Sequence, residues 1–296
     1  ENVERALVVT ALFEFVLTHQ DDHVRHEEEE RLEDERVFVD DVSPVEHLAW
    51  DPVEFDAGCV EAVLIEQIGL RQLVNEVAGR IDGIGVECDI TNDDDVQALV
   101  AAAVDQTGRL DTFVNCAGYS ESTPIADLTP EKLADMHAVQ IQGAMYCLRH
   151  AGNAMRDLGN GGSVVSISSL TAHAPAKGLA AYASAKAGLE YASKIAAVEY
   201  GADRIRFNSI AASLIETPMT AGAFTVGPVI QAMEELTPIG RMGSSQDIAN
   251  AALYLCSDLG AFVTGHTLNV DGGASLLALP TAQIYADVGR RWQESQ

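Results

Sequence analysis

From residue 66 onward the chain alternates short apolar, β-branched runs with longer amphipathic stretches, and a sequence that does so in strict turn suits parallel strands joined by helical crossovers. The runs fall near residues 84–89, 110–115, 163–168, 206–210 and 267–270. The amphipathic stretches fall near 66–79, 93–107, 130–157, 181–200 and 244–257. Two earlier strands are expected at 5–10, within ERALVVT, and at 36–42, reading RVFVDDV. This predicts an α/β chain built on a doubly wound parallel sheet. At 296 residues a single domain of this class is ordinary. Hydrophobic residues make up 47% with only 6% aromatic, which favours tightly packed parallel strands. The expected division is an acidic segment over 1–65 holding the first two strands, the main domain over 66–276, and an extension over 277–296.

The chemistry concentrates in SVVSISSLTAHAPAKGLAAYASAKAGLEYASKIAAVEY. Ser163 to Ile167 alternates like a buried strand, and Ser169 falls just past its C-terminal end, where open α/β sheets place ligands. Tyr182 and Lys186 are four residues apart on the next helix and share a face. An ammonium beside a phenol stabilises the phenolate, so such a tyrosine can give or take a proton near neutral pH. Plainer readings stand beside these. Ser168 and Ser169 can cap a loop. Asp89 and Thr91 can cap the helix beginning near Asp93, with Asp93 to Asp95 favouring its dipole. Asn115 and Gly118 can form only a turn, as Gly272 and Gly273 do after the last strand.

These pieces, with ECDITNDDD, LDTFVNCAGYS, RIRFNSIAASLIETPM and FVTGHTLNVDGG in that order, resemble the short-chain dehydrogenase/reductase family of the 3-oxoacyl-carrier-protein-reductase-like kind, over roughly residues 70–276. The resemblance implies a Rossmann-like fold and an NAD(P)-dependent oxidoreductase that interconverts an alcohol and a ketone. It makes Tyr182 the acid/base and Lys186 its partner, which also bonds the nicotinamide ribose. Ser169 would hold the substrate oxygen. Asn115, Ala117 and Gly118 would line the adenosine side, the bare Gly118 letting ribose approach. Asp89 and Ile90 would flank the adenine, and Ile215 and Thr217 would contact the nicotinamide half. Such enzymes associate through the helices matching 130–157 and 181–200, so a homotetramer or dimer is expected, with Ala196 as an outward apolar position. The segment 217–241, with Met219, Phe224, Val226, Met233 and Leu236, occupies the place of the variable substrate lid and favours a partly hydrophobic carbonyl compound.

The chain departs from the family pattern in three places. The first strand should run into a Thr-Gly-x-x-x-Gly-x-Gly loop, whose glycines bring backbone N–H groups to the pyrophosphate. Here ALFEFVLTHQ follows Thr10, and no glycine precedes Gly58. Gly83-Ile84-Gly85 lies before a strand rather than between a strand and a helix, and reads as a turn. Next, Gln140 stands where the family has the asparagine of its proton relay; glutamine offers the same amide one methylene further out. Finally, Ala212-Ser213 replaces the usual Pro-Gly after Asn208. In strand 36–42 the terminal carboxylate, Asp40, would bind the adenosine ribose and slightly favour NAD over NADP.

Charge narrows the partners. The net charge is −27, and residues 1–65, with 19 acidic and 4 basic side chains, hold −15 of it. Such a field repels phosphate, which argues against nucleic acid and anionic membrane surfaces and leaves a small-molecule substrate. Five scattered cysteines without a Cys-x-x-Cys pair suit a reducing compartment, and no stretch has the length of a membrane span, so a cytoplasmic location is expected. His23 and His26 in DDHVRHEEEERLEDER read as part of a charged solvated stretch rather than a metal site.

Two other readings of the whole chain arise from its glycine-poor start. One is a non-catalytic partner subunit that keeps the Tyr182 and Lys186 motif by descent; the other is a frameshifted or mis-joined sequence over 11–65. Bulky side chains and Glu14 after Thr10 oppose a pyrophosphate. The chain is therefore predicted to bind NAD(H) or NADP(H) much more weakly than a typical family member. Titration of nicotinamide fluorescence checks this; micromolar binding would show that another backbone segment supplies the phosphate site.

Overall fold

The computed structural model describes residues 5–11, 60–66, 83–217, 220 and 227–277. Seven strands form one parallel sheet: β1 Arg5–Ala11, β2 Val60–Glu66, β3 Ile84–Glu87, β4 Thr112–Cys116, β5 Gly162–Ser169, β6 Ile205–Ala212 and β9 Thr267–Val270, in the spatial order β3-β2-β1-β4-β5-β6-β9. The expected α/β doubly wound sheet is what forms. A small parallel pair, β7 Ile215–Glu216 with β8 Gly243–Ser244, gathers the two ends of the intervening segment.

The chain runs outward from β1 in both directions, so the sheet has its topological switch between β1 and β4. There Thr10 is in register with Asn115 and Ala11 with Cys116. The place beside β1 belongs to Val60–Glu66 and not to residues 36–42, which lie outside the described residues. VEAVLIE is the more continuous apolar run, as a strand between two parallel neighbours requires. The helix expected over 66–79 meets this strand at Glu66, and its remainder lies outside the described residues, as does the extension beyond 277 with Trp292.

The helices are α1 Asp93–Thr107, α2 Pro130–His137, α3 Ala144–Leu158, α4 Ala180–Tyr200, α5 Gly227–Glu235 and α6 Ser245–Cys256. Asn92, rather than Asp89 or Thr91, caps α1 by accepting from the Asp94 N–H, while the Asp89 carboxylate accepts from both Thr91 N and Thr91 Oγ1. The single helix expected over 130–157 is instead α2 and α3 joined by a π-helical turn, Ala138–Gly143. Gly143 is required at its end: a Cβ there would lie 2.6 Å from the Ile90 carbonyl oxygen.

Two apolar layers fix the helices to the sheet. On one face Phe113, Val164 and Phe207 meet Leu99 of α1, Cys147 and Met155 of α3, and Leu189 of α4. On the other, Val114, Val165 and Ile210 meet Leu255 of α6. Ala196 belongs to the first layer and is buried, so the outward position expected for it falls instead to Tyr191, Ile195 and Val198. Gly272 and Gly273 have φ of 59° and 87° and make the expected turn after β9.

Arg206 on β6 closes the α6 end of the molecule. Its Nη1 donates to the carbonyls of Leu255 at 2.5 Å and Gly260 at 2.9 Å, and its Nη2 reaches Cys256 and Ser257 at 3.4 and 3.3 Å. Leu255 and Cys256 end α6, where carbonyls lose their intrahelical partners, and Ser257 and Gly260 lie in the turn that follows. Replacing Arg206 by Met strips the charge-assisted bonds and is expected to cost about 2–3 kcal/mol, read as a lower urea midpoint; an unchanged midpoint would contradict this cap.

Candidate active site

The site lies where β1, β4, β5 and β6 end, on the edge that α4 crosses. β5 delivers Ser168 and Ser169 there, both buried, and the short turn Leu170–Ala172 comes next. Ser169 Oγ accepts from Thr171 N at 3.2 Å and from Thr171 Oγ1 at 2.9 Å. The capping role read from sequence is therefore real. It also occupies both lone pairs of the hydroxyl and leaves the Ser169 O–H to donate elsewhere.

Tyr182 and Lys186 stand on the first turns of α4, as their spacing predicts. The Lys186 ammonium, 4% exposed, donates to the Ile167 carbonyl at 2.8 Å and lies 5.7 Å from the centre of the Tyr182 ring. Burial pushes its pKa down to about 8, against the opposing pull of Cys116 and Glu190. One of its three N–H donors is committed to Ile167, which leaves donors for a ligand hydroxyl.

At the switch point Asn115 Oδ1 accepts from Ala117 N at 3.1 Å and so shapes the turn it begins. Gly118 is bare for a reason the sequence does not show. A Cβ there would lie 2.7 Å from Gln140 Oε1, so the Gln140 amide packs against the bare backbone and leaves no room for a side chain. Gln140 is buried in the π-helical turn, its Nε2 donating to the Tyr119 carbonyl and its Oε1 left, among the described residues, as a buried acceptor without a partner. Asp89 is exposed at the edge, while Ile90 sits in the core against Gly143. Ile215 is buried at β7, and Thr217 closes a tight turn in which Thr220 Oγ1 donates to the Ile215 carbonyl at 2.5 Å.

The structure thus gathers Ser169, Tyr182 and Lys186 at one strand end, with the Asn115–Gly118 turn and Gln140 across the neighbouring strand. It adds two residues that the sequence does not single out: Glu190, buried on α4 and bonded by Ser168, and His173, which pairs with it. The available signal for Glu190 is its position four residues past Lys186, one more step of the spacing that links Tyr182 to Lys186.

The family model described as enoyl-(acyl carrier protein) reductase matches residues 57–275. The chain belongs to the short-chain dehydrogenase/reductase family. A short-chain dehydrogenase reductase of Arabidopsis thaliana is 33% identical over 210 residues, 67% of this chain and 77% of that protein. An L-rhamnose 1-dehydrogenase (NAD(P)(+)) of Sphingomonas sp. is 32% identical over 190 residues, 64% of this chain and 75% of its own. Among solved structures, a short-chain type dehydrogenase/reductase from Mycobacterium ulcerans superposes with a TM-score of 0.73 at 28% identity, covering 92% of this chain and 90% of that one. This is a family of NAD(P)-dependent oxidoreductases, as the motif resemblance implied.

The Gly118 and Gln140 contact can be tested by itself. Gly118→Ala forces a Cβ into the Gln140 amide and is expected to cost about 1–3 kcal/mol. Adding Gln140→Ser frees the space and should restore most of that loss, since the two changes share one contact. Equal urea midpoints for Gly118→Ala and the parent would remove Gln140 as the reason for the glycine.

Proposed function

We propose that this chain is an NAD(P)-dependent oxidoreductase interconverting an alcohol and a ketone, with Tyr182 moving the proton at the substrate oxygen. The observation that carries the reading is the buried Lys186 ammonium, fixed by the Ile167 carbonyl beside the Tyr182 ring at the strand end that also presents Ser169. A charged group is held in so dry a place only at a cost in desolvation, and its position beside a phenol gives that cost a use.

The residues at the strand ends fit a dinucleotide. The Asn115–Gly118 turn lies at the switch between β1 and β4, where such ligands bind in open α/β sheets. Asn115, Ala117 and Gly118 would hold the adenosine half with Asp89 and Ile90 beside it, and Lys186, Ile215 and Thr217 the nicotinamide half. The second strand ends at Glu66, in register with Glu87.

The bound nicotinamide supplies or takes up the hydride. The chain's own groups do the rest. Ser169, its lone pairs occupied by Thr171, donates its O–H to the substrate oxygen and orients it. Tyr182 gives its phenolic proton to that oxygen in reduction and removes it in oxidation. Lys186 favours the phenolate by its charge, and Gln140 takes the place of the relay amide. Substrate class depends on the segment between β7 and β8, where Leu236 and Ile239 are exposed, and a partly hydrophobic carbonyl compound suits it. Among the described residues no helix is long and apolar enough to cross a membrane. Association into a dimer or tetramer through α2, α3 and α4 belongs to the same proposal, because α4 exposes Tyr191, Ile195 and Val198 along its outer side. The absence of glycine between Thr10 and Gly58 favours a second reading, a non-catalytic subunit of the same fold.

Tyr182→Phe is expected to lower turnover by ~10²–10⁴-fold with the fold intact, and Lys186→Met to be similarly damaging. Lys186 is charged below its pKa of about 8 and loses the proton as pH rises through it, so turnover that needs the ammonium should fall above about pH 8. Steady-state kinetics across about pH 6–10 with each cofactor checks both. Undiminished turnover in Tyr182→Phe would take the tyrosine out of the mechanism.

A further inference from the structure

Glu190 stands four residues past Lys186 and eight past Tyr182, on the face of α4 turned to the sheet. Its side chain is 5% exposed, and both carboxylate oxygens are engaged. Ser168 Oγ donates to Oε1 at 2.6 Å, and His173 Nε2 lies 3.0 Å from Oε2. The two partners bracket Ser169: Ser168 precedes it on β5, and His173 closes the turn Leu170–Ala172 that Ser169 caps. The carboxylate therefore joins both sides of the substrate-holding loop to the helix that carries Tyr182 and Lys186.

A carboxylate withdrawn from water is costly unless its charge has a partner. The groups facing this part of the site are Tyr182 and Lys186 on α4, Ser168 on β5, His173 in the turn and Cys116 on β4. Two groups, Cys116 and Glu190 itself, oppose the loss of the Lys186 proton. Burial raises the Cys116 thiol to about 12, so it carries no charge where Lys186 titrates. The half-exposed His173 lies at the outer end of the network, open to solvent. Glu190 is the negative charge left to act on the ammonium.

We propose that Glu190 is a positioning residue of this site: it ties the loop carrying Ser169 to the catalytic helix, and it is the counter-charge that keeps the buried Lys186 protonated. The inference rests on the oxidoreductase reading for its purpose, and its geometry stands without it. Glu190→Gln keeps the shape and the hydrogen-bonding capacity toward Ser168 and His173 while removing the charge.

The test needs neither cofactor nor substrate. The chain has four lysines, Lys132, Lys177, Lys186 and Lys194, so ¹³Cε-lysine NMR gives few signals, and Lys186→Met assigns the one of interest. In Glu190→Gln the Lys186 midpoint should fall by about one pH unit or more, the size expected for losing a close charge in a partly desolvated place. Glu190→Asp, which keeps the charge, should recover most of the fall. An unmoved Lys186 midpoint in folded Glu190→Gln would overturn the counter-charge role.

Ser168→Ala tests the tie separately, and does so even where Glu190→Gln does not fold. It keeps the charge and cuts the loop anchor, so amide exchange across 171–174 should speed up by about tenfold while Lys186 titrates as before. Unchanged exchange there would overturn the tie. In an active preparation the alkaline limb of the pH profile should move down with the Lys186 midpoint in Glu190→Gln. A parent protein without turnover, but with the predicted NMR shift, would count against the oxidoreductase reading and leave the Glu190 assignment standing.

Discussion

A lysine ammonium that is 4% exposed has to be kept charged by its surroundings, and the arrangement of the sheet edge answers that need. One N–H is taken by the Ile167 carbonyl, which lies just beyond Ser166, the last β5 residue paired with β4, while the pairing with β6 continues to Ser169. The same ending places Ser168 under Glu190 and Ser169 beside the turn it caps. Ser169, Tyr182, Lys186 and Glu190 are thus consequences of one junction, a strand terminus crossed by a long helix. The small residues of α4, Ala181, Ala185, Ala196 and Ala197, are all buried and let that helix lie close enough for the junction to form.

The π-helical turn between α2 and α3 answers a second constraint. Gln140 must enter the core beside the Asn115–Gly118 turn, and its side chain is a methylene longer than the asparagine expected there. A turn wound wider than an α-helix shifts the register of the helix beyond it, here α3, and such turns recur at functional sites. Two glycines absorb the close packing on either side. Gly118 leaves space for the Gln140 amide, and Gly143 lets the start of α3 rest on the Ile90 carbonyl. The longer glutamine side chain is therefore accommodated by backbone geometry.

Much of this is legible in the sequence because the signals are local. The Tyr182 to Lys186 spacing, the alternation from Ser163 to Ile167 and the glycine turn at 272–273 each depend on a few neighbouring residues, and each sits at its expected place, although β5 runs on to include Ser169 as its last residue. The misreadings have physical causes of a different kind. RVFVDDV and VEAVLIE both read as strands, and the more continuous apolar run of VEAVLIE, suited to a place between two parallel neighbours, is the one paired with β1. The π-helical turn keeps helical periodicity on both sides, so 130–157 reads as unbroken. Ala196 is small enough to suit either face of a helix, and only the sheet beneath determines that it is buried. The packing of Gln140 against Gly118 is not visible in the sequence because the two lie far apart in the chain.

The register of β1 limits the task of the amino-terminal part. Ala11 is paired with Cys116, so the chain leaves β1 at the level of the Asn115–Gly118 turn, at the one place where strand order reverses. Phosphates bind there because backbone N–H groups converge and helix dipoles point outward, a condition of backbone approach rather than of side-chain type. The residues after Ala11 in sequence are Leu12, Phe13 and Glu14, which lie outside the described residues. The end of the site that gathers Ser169, Tyr182 and Lys186 depends on β5 and α4. The β1–β4 and β4–β5 pairings link it to the switch point, and its geometry, with Glu190, is carried by β5 and α4 themselves.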